Sequence, residues 1–300
     1  MDASNETKQE EAFICIACNE KYPAGTGKCP KDGTPLTPLA SDRLVGTIFL
    51  DKYEILEILG HGGMCTVYKA RHTLMHNLVA IKVLHSQLVS DPTYTERILR
   101  EARALSSLRH RNIVQVFDSG VLESQPYLIQ EFLGGESLAD LLAKHSYLPV
   151  ERALHLFLQI CDGLKQAHKK SIIHRDLKTS NIIIVQEPDA KDVVKLLDFG
   201  IAKVISADPK NEQKLTKSGE VFGSPLYMSP EQCTGGQVDE RSDIYSFGCV
   251  MYETLTGSPP HVGANSLETM NKHVNEPVLS LRGIAPNLVI PELIDAVVLK

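Results

Sequence analysis

Residues 172–184 read IIHRDLKTSNIII. A cluster of His, Arg, Asp, Lys and Asn sits between two runs of isoleucine. Such β-branched runs anchor a loop rigidly and aim its polar groups at one point. Asp176 can accept a proton from an incoming hydroxyl. Lys178, two residues on, points the same way in an extended segment and suits the neutralisation of a transferring phosphoryl group. Asn181 offers a carbonyl oxygen, a ligand type that Mg²⁺ takes. An ordinary capped surface turn has no need of three charge types at this spacing.

Three other stretches bear on the same chemistry. In VVKLLDFG (193–200), Asp198 ends an apolar strand where the backbone turns, so a second carboxylate can join Asn181 in chelating a metal–triphosphate. In LVAIKVL (78–84), Lys82 stands alone in an apolar strand. Lysine is rarely buried without a partner, and Glu101 on a neighbouring helix is the candidate. The stretch LGHGGMCTVYKA (59–70) opens like a phosphate cradle at Leu59, Gly60, His61, Gly62 and Gly63, but Cys65 stands where a third spaced glycine is expected. Cys65 begins the return strand, where a negative φ is expected, so the exchange weakens nucleotide grip by about 1 kcal/mol at most.

Around these stretches the chain divides into three zones. Residues 1–45 are rich in Cys, Pro, Gly and Lys and lack apolar periodicity. Residues 53–133 read mainly as strands, interrupted by one helix that starts at Asp91-Pro92 and carries Ile98, Ala102, Leu105 and Leu108 at helical spacing. Residues 134–300 read as helical. Leu154, Leu158, Cys161 and Leu164 share one face of a helix beginning after Pro149, and SDIYSFGCVMYETLTG (242–257) is apolar on nearly all sides, hence buried. A small sheet with one helix, followed by a helical body, predicts an α+β two-lobed unit with a cleft between the lobes.

Composition narrows the function classes. A net charge of -6 argues against a general nucleic-acid binder. No apolar run approaches the ~18–20 residues needed to cross a bilayer, and the acidic start MDASNETKQEEAF is no secretory signal. Seven cysteines in uneven contexts fit a reducing cytosol better than a disulfide framework.

Taken together, Gly60-His61-Gly62, VAIK ending at Lys82, Glu101, HRDLKTSN, DFG and Ser229-Pro230-Glu231 resemble a protein kinase. The LGHGGM and GSPLYMSPEQ runs resemble the bacterial eukaryotic-like (Hanks-type) Ser/Thr kinases in particular. The resemblance runs from about Tyr53 to the end of the chain. It implies that Gly60, Gly62 and Gly63 cover the phosphates of ATP, that Val67 and Ala80 roof the adenine and that Ile183 packs under it. Gln130 falls at the gatekeeper position, with Glu131 to Leu133 as the hinge. Lys82 then holds phosphates and pairs with Glu101; Asp176 is the base, Lys178 the neutralising cation, and Asn181 and Asp198 the Mg²⁺ ligands. Lys178 with Ser224 matches the Ser/Thr-directed version, whose partners are protein Ser/Thr hydroxyls. Arg175 beside the base implies an activation segment that is phosphorylated, with Thr216 and then Ser218 as the expected sites, and dimerisation as a route to autophosphorylation. Glu136, after the hinge, fits either the ATP ribose or a basic substrate residue.

The N-terminal zone carries CIAC (Cys15, Cys18), then CPKDG with Cys29 and Asp32. This is half of a zinc-ribbon pattern with Asp32 in the place of a fourth cysteine. It fits either a Cys3Asp zinc site or a metal-free ribbon. The closing run IPELIDAVVLK reads as an apolar helix without a terminal cap, which predicts an apolar face left open there and a Glu231 without the arginine that pairs with it in the family. Cys65, this ending and the appended ribbon would also suit a pseudokinase scaffold, but such a scaffold has no need of Lys82, Glu101, Asp176, Asn181 and Asp198 together.

Overall fold

The computed structural model describes residues 13–15, 21–22, 26–31, 33, 36–38, 44–62, 65–85, 92–187, 192–199, 224–285 and 287–300. These fall into two compact units, Met1–Thr95 with Val116–Phe132, and Glu96–Gln115 with Leu133–Lys300.

In the first unit, β1 (Phe13–Cys15) pairs antiparallel with β2 (Lys21–Tyr22) and β3 (Leu36–Pro38). A larger sheet follows from β4 (Ile48–Phe49), β5 (Tyr53–His61), β6 (Cys65–His72), β7 (Leu78–Leu84), β8 (Val116–Leu122) and β9 (Gln125–Glu131), in the order β4-β5-β6-β7-β9-β8. Every pairing in it is antiparallel. Phe49, Ile55, Tyr68, Ala70, Val79, Ile81, Val83 and Ile129 form its core. The central β7 is buried along most of its length, as its near-continuous apolar sequence requires, and Lys82 is half-buried within it. Helix α1 (Pro92–Ser106), which belongs to the second unit from Glu96 on, opens on the proline foreseen as its first residue, and Ile98, Ala102, Leu105 and Leu108 are all buried.

The second unit places β10 (Glu136–Ser137) beside the hairpin of β11 (Ile182–Gln186) and β12 (Asp192–Leu196). Its helices are α2 (Leu138–His145), α3 (Val150–His168), α4 (Pro230–Cys233), α5 (Glu240–Thr256), α6 (Ser266–Asn275), α7 (Leu281–Ile284) and α8 (Glu292–Val298). Ser137 starts α2 through a capping box with Asp140. Asp239 caps the start of α5, which ends at Gly257 with φ 84°. A Cβ there would stand 2.8 Å from the Ser146 carbonyl oxygen, so both the conformation and the space demand glycine. As its composition foretells, α5 is buried over most of its surface.

One reading of the sequence is corrected here. Helix α3 does begin after Pro149, but of the face read as Leu154, Leu158, Cys161 and Leu164 only Leu164 is buried; the other three face outward, with Leu158 70% exposed. The buried face is Ala153, Leu156, Phe157, Ile160, Gly163, Leu164 and Ala167. Two apolar stripes compete on this helix. The one with small residues wins because Gly163 and Ala167 let the helix approach closely; a Cβ on Gly163 would come within 2.8 Å of Leu196 Cδ1 on β12. Near the last residues, Val289, Leu293 and Val297 are exposed, and an apolar cavity of about 900 Å³ opens among Leu164, Ile244, Phe247 and Val298.

Candidate active site

The loop after α3 is fixed from behind by one buried carboxylate. Asp243, in the first turn of α5 and 1% exposed, accepts from the backbone N–H of His174 and of Arg175, both at 2.8 Å. Its Oδ2 also lies 2.7 Å from His168 Nε2. These bonds hold Arg175 in the left-handed region, at φ 64°, a conformation that costs a non-glycine residue about 1–3 kcal/mol and persists only where the surroundings dictate it. Asp198 is held in the same region at φ 51°. His174 is fully buried with its ring 4.5 Å from that of Phe199, and burial drives its imidazole pKa down against the pull of Asp243. The histidine is a neutral packing element here.

Asp176, Lys178 and Asn181 converge beyond this anchor. Lys178 is extended, and its Nζ lies 3.3 Å from Asp176 Oδ2 and 3.0 Å from Ser224 Oγ. Asn181 Nδ2 donates to the Asp176 carbonyl at 2.8 Å and lies 3.3 Å from its Oδ2. With its amide nitrogen engaged in this way, Asn181 presents its carbonyl oxygen as a hard donor for a cation. The β11–β12 hairpin supplies the second donor. Ile182 pairs with Leu196, and Leu197 N donates to the Asn181 carbonyl at 2.9 Å, which ties the Asn181 turn to the strand end carrying Asp198. An amide oxygen and a carboxylate are the donor set that Mg²⁺ takes. Ile183 is half-buried on β11.

The glycine turn that begins at Gly60 lies in the first unit. Irregularities in the β5–β6 register at Ile55/Glu57 and Ile58/Gly60 bring Gly60 opposite Val67 and His61 opposite Thr66. Gly62 N donates to the Cys65 carbonyl at 2.9 Å. Cys65 opens β6 without a positive φ, so the missing glycine does not strain the hairpin at this point. Across β6 and β7, Val67 pairs with Lys82; across β7 and β9, Ala80 pairs with Gln130 and Val79 with Glu131. Leu59 is partly exposed on β5. Leu133 and Glu101 are half-buried and belong to the second unit. Gly63, Gly200, Thr216 and Ser218 lie outside the described residues.

The sequence reading missed several supporting residues. Tyr227 Oη donates to Glu253 Oε2 at 2.6 Å and lies 2.9 Å from Thr179 Oγ1, one residue from Lys178 and two from Asn181. Ser246 Oγ donates to the Tyr227 carbonyl at 2.7 Å. Glu231 has a partner within the chain, the Ser242 hydroxyl. Glu136 pairs with Lys144 on the surface. In the N-terminal zone Cys15 lies on β1, and Cys29 is buried with its Sγ 3.2 Å from Tyr22 Oη; Cys18 and Asp32 are outside the described residues. Among the described residues no group of three His, Cys, Asp or Glu side chains is placed to hold a metal ion, and no helix is long and apolar enough to cross a membrane.

A carboxylate, a bridging lysine and paired oxygen donors are the kinds of group that phosphoryl transfer uses. Residues 53–293 match the protein kinase domain family, and the chain belongs to it. Within that family it is similar to bacterial Ser/Thr kinases. It is 40% identical over 258 residues to the serine/threonine-protein kinase PknB of Mycobacterium leprae, covering 83% of this chain and 39% of that protein. To PknB of Mycolicibacterium smegmatis it is 42% identical over 255 residues, again 83% and 39%, and to the probable PknB of Lactococcus lactis 37% over 257 residues, 85% and 39%. The chain thus spans about two fifths of the length of these relatives. The kinase domain of Mycobacterium tuberculosis PknI shares the fold, with a TM-score of 0.61 at 24% identity over 81% of this chain and 85% of that one.

Proposed function

We propose that this chain transfers the γ-phosphoryl group of ATP to Ser and Thr hydroxyls of proteins. The observation that carries the reading is Lys178 held between Asp176 and Ser224 while Asn181 braces Asp176, because a base and a cation are fixed together before any substrate arrives. The substrate hydroxyl gives its proton to the Asp176 carboxylate as its oxygen bonds to the γ-phosphorus, and the bond from that phosphorus to the β–γ bridging oxygen breaks to release ADP. Lys178 neutralises charge on the moving group. Mg²⁺ held by Asn181 and Asp198 supplies charge neutralisation on the phosphate oxygens. Gly60, Gly62 and Gly63 cover the phosphates, Lys82 grips them with Glu101 as its partner, and Leu59, Val67, Ala80, Ile183 and the backbone of Glu131 and Leu133 receive the nucleoside. The test is incorporation of labelled γ-phosphate with Mg²⁺ into Ser and Thr. The Asp176→Asn variant is expected to lose about 10²–10⁴ of the rate while still binding ATP; nucleotide binding by the unaltered chain without transfer would leave a scaffold instead.

Two finer readings belong with this one. Autophosphorylation at Thr216 and Ser218, in trans within a transient dimer, supplies the anion that Arg175 attracts; unchanged activity in a Thr216→Ala, Ser218→Ala double variant would refute it. The N-terminal segment binds zinc through Cys15, Cys18, Cys29 and Asp32. The reading is supported by a short sheet around a buried Cys29, which a segment this small struggles to stabilise unaided. Zinc should co-purify with the chain and be lost on Cys18→Ser.

A further inference from the structure

The last ladder pair before the glycine turn is His61 on β5 and Thr66 on β6. Thr66 is 3% exposed, although its place beside a hairpin tip would ordinarily leave it in solvent. Two imidazoles enclose its hydroxyl. His61 Nδ1 lies 2.8 Å from Thr66 Oγ1, and His85 Nε2, from the residue that follows β7, lies 3.2 Å away. The two rings are 5.2 Å apart with planes 37° from parallel. One hydroxyl therefore touches the ends of three consecutive strands, β5 through His61, β6 through its own backbone and β7 through His85.

The chemistry suits this arrangement. A threonine hydroxyl has one proton and two lone pairs, and a neutral imidazole has one N–H and one bare nitrogen. Thr66 can donate to one ring and accept from the other, so the three groups satisfy one another without any net charge. Valine in the same volume would leave both ring nitrogens without this partner.

Its position gives the staple a function. In the register of β6 and β7, Thr66 opposes Val83 and the next residue, Val67, opposes Lys82. The staple thus sits one residue pair from the lysine and at the base of the glycine turn. Glycines give such a turn its freedom to approach phosphate but also make its position loose. Building on the kinase reading above, we infer that Thr66 and His85 are positioning residues for the nucleotide: they clamp the base of the glycine turn to the strand bearing Lys82, so that backbone N–H groups and ammonium meet the phosphates at a fixed separation.

The experiment measures ATP affinity by calorimetry and kcat by labelled-phosphate transfer for the whole chain and for Thr66→Val, Thr66→Ser, His85→Phe and the Thr66→Val/His85→Phe double variant. Loss of one neutral hydrogen-bonded partner predicts ATP binding weakened by about threefold to tenfold in Thr66→Val, with kcat within about twofold once ATP saturates, since the staple touches no reacting atom. Thr66→Ser should bind as the unaltered chain does, and the double variant should be no weaker than Thr66→Val alone. Unchanged affinity in Thr66→Val overturns the inference. So does a Thr66→Ser variant as weak as valine, which would assign the effect to the methyl group, or full additivity in the double variant. The affinity arm stands without catalysis: a chain that binds ATP but transfers nothing would sink the kinase reading and leave the staple still decided by calorimetry.

Discussion

Acidification should destabilise this protein through a pair of histidines beneath helix α6. His273 on α6 and His261 before it are 4% and 5% exposed, their rings 5.0 Å apart, and neither Nε2 has a hydrogen-bond partner. His273 Nδ1 meets Tyr245 Oη at 2.8 Å. Burial, helped by the neighbouring His261, pushes the His273 pKa from 6.5 to about 4; burial lowers that of His261 too, against the pull of Glu276 and with the push of Lys272. A base whose folded pKa is depressed stays neutral in the native state while the unfolded chain takes up the proton. The stability is therefore fully present above the unfolded pKa and is lost as pH falls from about 6.5 towards 4. Between pH 7 and pH 5, His273 alone removes about 2 kcal/mol, or roughly 3 °C of Tm for a chain of this size. The assay is thermal unfolding at both pH values for the unaltered protein and for His273→Asn, whose amide oxygen can still accept from Tyr245. The variant's Tm should fall less between the two pH values by roughly that amount. Equal falls would refute the reasoning, because the titrating group would then lie elsewhere.

Two further perturbations test the scaffold of the site. Asp243→Asn keeps the shape but not the acceptor capacity for three donors, so it should destabilise by about 3 kcal/mol in urea unfolding and lower kcat by releasing the backbone of His174 and Arg175; unaltered kcat would show that the loop holds its own conformation. Tyr227→Phe leaves the half-buried Glu253 without its hydroxyl donor and should cost about 1–3 kcal/mol. Burial already raises the Glu253 pKa, and a carboxyl raised further loses stability as pH rises, so the loss should be larger at pH 8 than at pH 5.

The sequence was most legible where a local pattern has a single structural solution. Polar residues between two isoleucine runs had to form an anchored loop, and a lone lysine in LVAIKVL had to lie in a central strand. Helix α3 was harder, since apolar periodicity marks a stripe without saying which of two stripes meets the sheet; the small residues Gly163 and Ala167 were the available signal. Asp243 was readable in principle, as a carboxylate in the first turn of a helix otherwise apolar all round. The Thr179–Tyr227–Glu253 contacts were not, because each joins residues 26 or more apart in sequence and none of them stands out locally. The same holds for His61, Thr66 and His85, which only the strand register brings together.

Helix α5 explains why the cluster of Asp176, Lys178 and Asn181 keeps its geometry on strained backbone. Its first turn supplies Asp243 to the loop of His174 and Arg175. One turn later Ser246 fixes the Tyr227 carbonyl, and near its far end Glu253 fixes the Tyr227 hydroxyl. Asp243 and Glu253 stand ~15 Å apart along the helix at 1.5 Å per residue, so a single rigid rod sets both the loop leading into Asp176 and the segment holding Ser224. A rod with that duty cannot rock on one apolar face as an amphipathic surface helix can. Burial over most of its surface is what immobilises it, and the sequence SDIYSFGCVMYETLTG fits that requirement: Asp243, Ser246 and Glu253 reach the segments they hold, Thr254 and Thr256 bond back to the helix's own carbonyls, and apolar or small residues cover most of the rest.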